Sequence, residues 1–195
     1  MILYKKINLK CLEELKSYLI NKILNQIPDS VVAKPLTELI ILPDDLLKVV
    51  NDELNSYGIG DIDYARLYLW PKKAVQYVHI DGSDLLDGSN YIYHGAINIP
   101  LHGGENSIFR WYIGGEFDNV QYYNESSDQK LYIIKWKSIP KSESLEMIDG
   151  CYLVRIDIPH HAINPINSDR WIFTMRFKDN PTFERLYEIL PASDI

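Results

Sequence analysis

Alternation between apolar and polar positions is clearest from Cys151 to Phe177, CYLVRIDIPHHAINPINSDRWIFTMRF. Tyr152, Val154, Ile156 and Ile158 fall on one side of an extended chain, with Arg155 and Asp157 on the other. Continuing that parity puts His160 on the inner face and His161 on the outer one, where a surface or supporting role is expected. An Asn/Pro/Ser/Asp-rich connection follows. Beyond it Trp171, Phe173, Met175 and Phe177 make an apolar face, and Arg170, Ile172, Thr174 and Arg176 make the other. Two arginines beside a threonine suit a pocket for an anion better than a core.

Upstream, the period changes. Leu12, Leu15, Leu19, Ile20 and Ile23 recur at helical spacing, so a helix capped by Asn8 is expected through about Gln26, ended by Pro28 and Asp29. A second helix is expected from Pro43, with Asp44 and Asp45 in its first turn and Gly58 as its stop. From Ile59 the chain breaks into short segments separated by turns. Strands are expected at Tyr64–Trp70, Ala74–His79, Tyr91–Pro100, Ser107–Ile113, Leu131–Lys137, Tyr152–Ile158 and Arg170–Lys178. Turn signals lie at Pro71, Asp81-Gly82, Asp87-Gly88, Gly103-Gly104, Gly114-Gly115, Asp149-Gly150 and Pro165. The polar stretch Glu116–Gln129 reads as a surface loop, and Thr182–Leu190 as a last short helix. The pattern is that of a mainly β fold with flanking helices, a sandwich or barrel with helices on one side. One domain is expected over residues 1–195, with a helical N-terminal support at 1–58, a core at 59–180 and a C-terminal segment at 181–195.

Composition narrows the classes. A hydrophobic share of 46% argues for a folded core. Net charge is −7, so no nucleic-acid or membrane partner is expected. Cys11 and Cys151 lack zinc-site spacing, and such sparing use fits a reducing compartment. With no apolar run of transmembrane length and no signal-peptide core, a cytoplasmic protein is expected.

The candidate chemistry joins the two halves of the chain. His79 and Asp81 are i and i+2, so on a strand they share a side, roughly 6–7 Å apart at the backbone. Alone, such a tripeptide reads as a hydrogen-bonded strand end. Adding His160 gives two histidines and one carboxylate on one face of an ion. Such a triad leaves the opposite positions open for a chelating co-substrate and dioxygen. Arg170 follows His160 by ten residues, enough for a short turn to an adjacent strand, and guanidinium groups bind carboxylates bidentately. Arg176 is placed to reach the same anion or to pair with an acidic neighbour. Asn98, Tyr91, Tyr93 and Trp111 are pocket-lining candidates or core. His94 and His102 read as histidines satisfied by ordinary hydrogen bonds.

These residues resemble the Fe(II)/2-oxoglutarate-dependent oxygenases, through His79-x-Asp81, the distal His160 and Arg170. HHAINPINSDRW is similar to the H-x-x-x-N…R segment of the aspartyl/asparaginyl β-hydroxylase-like branch, matching His160, Asn164 and Arg170. AINIPLHGGENSIFRWY (Ala96–Tyr112) is similar to the central strand pair of small phage and bacterial members. Asp81 departs from the aspartyl hydroxylases, which lack that carboxylate. The likeness runs from about Trp70 to Phe177. It implies a double-stranded β-helix (jelly roll), Fe(II) on His79, Asp81 and His160, and 2-oxoglutarate anchored by Arg170. It also implies an O₂-dependent hydroxylation that yields succinate and carbon dioxide. The expected primary substrate is an amino acid, a peptide or protein side chain, or a small metabolite. Two other readings use the same residues: a cupin-like metalloprotein without a keto acid, and a non-enzymatic β-sandwich binding module.

Overall fold

The computed structural model describes residues 1–23, 36–73, 75–84, 90–101, 107–124, 129–164 and 169–193. In chain order they form β1 (Tyr4–Ile7), α1 (Leu12–Tyr18) running into a π-helical turn (Leu19–Ile23), β2 (Leu36–Ile40), α2 (Asp44–Ser56) and β3 (Ile62–Trp70). Next come β4 (His79–Asp84), β5 (Asn90–Ile92), β6 (Gly95–Pro100), β7 (Ser107–Ile113), β8 (Phe117–Asn124) and β9 (Gln129–Trp136). The chain continues through β10 (Lys141–Met147), β11 (Cys151–Arg155), β12 (His160–Ile163), β13 (Arg170–Phe177) and α3 (Phe183–Ile189).

One sheet has the order β1-β11-β6-β13-β3-β2 and the other β10-β7-β12-β4-β9-β8, with β5 paired to β4. All these pairings are antiparallel. The chain crosses between sheets at β3, β4, β6 and β7, and again at β10, β11, β12 and β13. Two such windings, interleaved, are a double-stranded β-helix, the jelly roll expected from the sequence.

Period-2 alternation sorts the side chains of the first sheet into two layers. Leu67, Leu69, Trp171, Phe173, Met175 and Phe177 bury themselves against Leu15, Leu46, Val50, Leu54, Phe183 and Leu186 of the helices. The opposite parity faces the second sheet, where Ile172 packs with Ala96, Phe109, Trp111, Tyr152, Val154 and Ile156. Each large apolar side chain fully buried contributes about 1.5–3 kcal/mol. The helix-side layer therefore carries much of the stabilisation and leaves part of the inter-sheet face to polar groups.

Local signals set the helix ends. α2 buries Leu46, Val50 and Leu54 at four-residue spacing, begins after Pro43 with Asp44 and Asp45 in its first turn, and stops at Gly58, whose φ is +76°. Thr182 caps α3 by accepting a hydrogen bond from the Arg185 N–H. Gly95 lets α3 approach β6: a Cβ there would lie 2.7 Å from Leu186 Cδ1.

Several expectations are corrected. Asn8 does not cap the first helix. Its N–H bonds the Pro191 carbonyl, Tyr4–Ile7 pairs with β11, and the helix starts after Cys11. The helix reaches Ile23; Gln26, Pro28 and Asp29 lie outside the described residues. In place of a strand ending at His79, the strand begins there, and Val75 makes only an isolated bridge to Ile163. Asp81-Gly82 is not a turn: β4 continues to Asp84, pairing with β9 up to Asp81 and with β5 from Gly82. Tyr91–Pro100 divides into β5 and β6. The stretch read as a loop at Glu116–Gln129 contains β8, the edge partner of β9. β1, β2, β10 and β12 are not among the expected strands. The turn signals at Asp87-Gly88, Gly103-Gly104 and Pro165 lie outside the described residues.

Candidate functional site

β4 and β12 lie side by side in the second sheet, with His160 registered opposite His79. Strand alternation turns His79, Asp81 and His160 to the inter-sheet side, where one ligand atom from each lies within 4.8 Å of the others. His79 and His160 are each 2% exposed. His160 stacks on Phe109 at 4.9 Å between ring centroids and lies 4.5 Å from the His79 ring.

Backbone carbonyls fix both tautomers. Nδ1 of His79 donates to the Tyr77 carbonyl at 2.8 Å, and Nδ1 of His160 to the Ile158 carbonyl at 2.9 Å. A carbonyl only accepts, so in each neutral ring Nδ1 carries the proton and Nε2 offers a lone pair to the site. His79 Nε2 lies 3.1 Å from Asp81 Oδ1, and His160 Nε2 lies 4.0 Å from the same oxygen. Lone pair then faces lone pair, an arrangement that a shared cation resolves. Carbonyl-oriented imidazoles and a carboxylate converging on one point are a donor set for a divalent transition metal.

Charges around the triad keep it in that ligating form. Burial acts to raise the Asp81 carboxyl, but the Arg176 guanidinium overrides it and holds Asp81 well below the usual carboxylate range. Burial, with His79 alongside, pushes His160 down to about 3, so its ring is neutral at physiological pH. Arg176 Nη2 binds Asp81 Oδ2, and its Nη1 donates to Thr174 Oγ1 at 2.7 Å. The Thr174 hydroxyl in turn donates a hydrogen bond to Asn98 Oδ1 at 2.6 Å. A polar relay thus runs from Asn98 to the triad.

Arg170 lines the same cavity from the first sheet. It is 3% exposed, and its side chain makes no hydrogen bond or ion pair among the described residues; its Nε is buried without a partner. Burial pulls its guanidinium down to about 9, which leaves it charged at neutral pH. It does not stand on a strand adjacent to His160, as the ten-residue spacing suggested. β12 and β13 belong to opposite sheets, so Arg170 faces the histidines across the sandwich. Asn164 steadies that end of the cavity by donating to the Trp70 and Pro71 carbonyls at 3.2 and 3.0 Å. Trp70 is the ladder partner of Arg170.

Other candidates sort by layer. Asn98 and Arg176 line the cavity with Arg170. Trp111 belongs to the inter-sheet core, its Nε1 donating to the Arg155 carbonyl, and Tyr93 donates to Asp63. His94 pairs with Asp157, which also holds Arg155, away from the triad. His161 points away from His160 as parity requires, but it is only 7% exposed and is not a surface residue. Tyr112 covers it, with OH and Nε2 3.3 Å apart, while its Nδ1 donates to the Gln76 carbonyl. His102 and the Tyr91 side chain lie outside the described residues. The sequence reading missed Tyr68, Trp70 and Gln76 in the lining. Tyr68 and Trp70 had a signal, since they alternate with Leu67 and Leu69 of the helix-side layer. Gln76 had none.

No protein-family model matches the sequence, and no curated protein matches it. Among solved structures, the chain is similar to a prolyl-4-hydroxylase from Pseudomonas putida, at 14% identity and a TM-score of 0.47, covering 89% of this chain and 90% of that one. It is similar to the viral collagen prolyl hydroxylase vCPH from Paramecium Bursaria Chlorella virus-1 in its 2OG complex, at 13% identity and a TM-score of 0.47, covering 90% and 95%. HygX from Streptomyces hygroscopicus, with nickel and 2-oxoglutarate bound, gives 12% identity and a TM-score of 0.46, covering 88% and 79%.

Proposed function

We propose that this chain is an Fe(II)- and 2-oxoglutarate-dependent oxygenase that hydroxylates an amino acid, a peptide or protein side chain, or a small metabolite. The observation that carries the reading is Arg170: a charged guanidinium, 3% exposed and without a partner among the described residues, in the cavity that also holds His79, Asp81 and His160. Burying an uncompensated charge costs several kcal/mol, so such a group is kept for an anion that arrives later.

His79, Asp81 and His160 would hold Fe(II), and the donor set fits it, with two imidazole nitrogens and one carboxylate. When bound, the metal with its keto-acid co-substrate supplies the oxidation of a C–H bond by dioxygen. The remaining work falls to the chain's own residues. Arg170 takes the distal carboxylate of 2-oxoglutarate as a charge-assisted pair. Arg176 holds Asp81 Oδ2, which keeps Oδ1 turned toward the histidines. Tyr77 and Ile158 carbonyls hold the two Nδ1 protons, so neither ring rotates its lone pair out of the site. Phe109 and Ile156 on the cavity wall exclude water from the reacting centre.

The test is turnover without the primary substrate. The purified protein, given Fe(II), 2-oxoglutarate and air, is expected to release succinate slowly, and chelation of the iron should abolish it. Absence of succinate from a folded protein shown to bind both iron and 2-oxoglutarate would contradict the proposal.

A further inference from the structure

We propose that Gln76 binds the chelating end of the co-substrate, its carboxamide N–H donating to an oxygen of 2-oxoglutarate beside the metal; this rests on the functional reading above. The orientation of the amide is fixed by chemistry. Gln76 Oε1 accepts the Ala162 N–H at 3.2 Å, so Nε2 is the atom turned to the site, 3.4 Å from His79 Nε2.

The residue is also pinned. Its own N–H donates to the Ala162 carbonyl at 3.0 Å, its carbonyl accepts from His161 Nδ1 at 3.2 Å, and Val75 bridges to Ile163. A residue whose backbone is tied to β12 at these points, and whose Oε1 is held by the Ala162 N–H, keeps its amide beside the triad. A metal ion on His79 takes the lone pair that this amide faces. The N–H then needs another acceptor, which an oxygen of the arriving co-substrate supplies.

Asp81 Oδ1 lies next to His79 Nε2 and belongs to the same donor set, so it is committed to the metal as well. The cavity that Gln76 lines continues to Arg170. A dicarboxylate reaching from the metal to that guanidinium brings its own oxygens past the amide. Metal binding therefore prepares the anion site by releasing Gln76 from His79.

The experiment is anaerobic calorimetry with Co(II) as the metal probe, followed by 2-oxoglutarate, on the full chain and its Gln76→Ala and Gln76→Glu variants. Glutamate retains an acceptor for the Ala162 N–H but presents an oxygen to the site in place of a donor. Gln76→Glu is expected to bind Co(II) at least as tightly as the parent and 2-oxoglutarate about ten-fold or more weakly. Gln76→Ala should lose about five- to ten-fold in 2-oxoglutarate affinity with Co(II) binding little changed. Variants that bind 2-oxoglutarate like the parent overturn the proposal. So does a parallel loss of Co(II) and 2-oxoglutarate affinity in both, which would make Gln76 purely structural. A parent that takes Co(II) but no 2-oxoglutarate contradicts the functional reading itself, before any variant is compared.

Discussion

At the scale of single residues, His160 and His161 differ by one position and face opposite ways. His160 Nε2 looks toward Asp81, whereas both nitrogens of His161 are engaged by Tyr112 and the Gln76 carbonyl. His160→Ala is therefore expected to lower Fe(II) affinity at least a hundred-fold, the order of losing roughly 3 kcal/mol. His161→Ala should leave it nearly unchanged, because His161 touches the site only through the Gln76 carbonyl. Calorimetric titration of Fe(II) under anaerobic conditions checks both, with circular dichroism confirming the fold. Equal losses would mean that the two rings have been assigned to the wrong faces. The alternation from Tyr152 to Ile158 does not carry as far as these rings: Leu153 breaks it, and β11 ends at Arg155 in the other sheet before β12 begins at His160. The grip of Arg176 on Asp81 was foreseen only as pairing with an unspecified acidic neighbour. Its partner is 95 residues away, and no local pattern reports such a contact.

At the scale of elements, Asn164 ends β12 and ties it to the end of β3 through two carbonyls. Asn164→Ala leaves the Trp70 and Pro71 carbonyls short of that donor inside a buried corner, where Asn164 is 1% exposed. Loss of about 1–3 kcal/mol of stability is expected from urea unfolding. Because Trp70 neighbours Arg170 in the ladder, 2-oxoglutarate affinity should fall more than metal affinity. A variant that loses stability yet binds 2-oxoglutarate like the parent would show that this tie does not position Arg170.

Which elements were legible follows from what they bury. β13 announced itself because its two faces differ in kind, apolar toward the helices and polar toward the second sheet. β10, KSESLEM, exposes its first four residues at a sheet edge, so no alternation marks it. β12 is four residues long and sits inside a turn-rich segment. β1 has one buried residue, Ile7, and depends on β11 for its pairing.

At the scale of the whole molecule, a net charge of −7 surrounds a cavity where Asp81 is the one carboxylate among the described lining residues, against Arg170 and Arg176. No helix among the described residues is long and apolar enough to cross a membrane. Buried histidines make the metal-free fold sensitive to acid. The folded His160 pKa of about 3 lies below the ordinary unfolded value near 6.5, and burial lowers His161 too. Between those values the unfolded chain binds protons that the native state refuses, so stability falls as pH drops from about 6.5 toward 3. Asp81, held below the carboxylate range, adds its own loss once pH falls below its ordinary value of 3.8. His160→Gln is expected to flatten part of the decline in melting temperature between about pH 7 and pH 5. An unchanged slope would place the acid sensitivity elsewhere.

If the triad and Arg170 serve one chelated anion, the visible absorption of the anaerobic complex reports both ends of it. Adding 2-oxoglutarate to the Fe(II)-loaded parent should raise a metal-to-ligand charge-transfer band. Arg170→Ala should still bind Fe(II) but require about ten- to a hundred-fold more 2-oxoglutarate to reach it, as losing 1.5–3 kcal/mol of charge-assisted pairing implies, with lysine restoring only part. An iron-loaded parent that develops no band with 2-oxoglutarate, or an Arg170→Ala protein that titrates like the parent, would mean that Arg170 and the triad do not share a ligand.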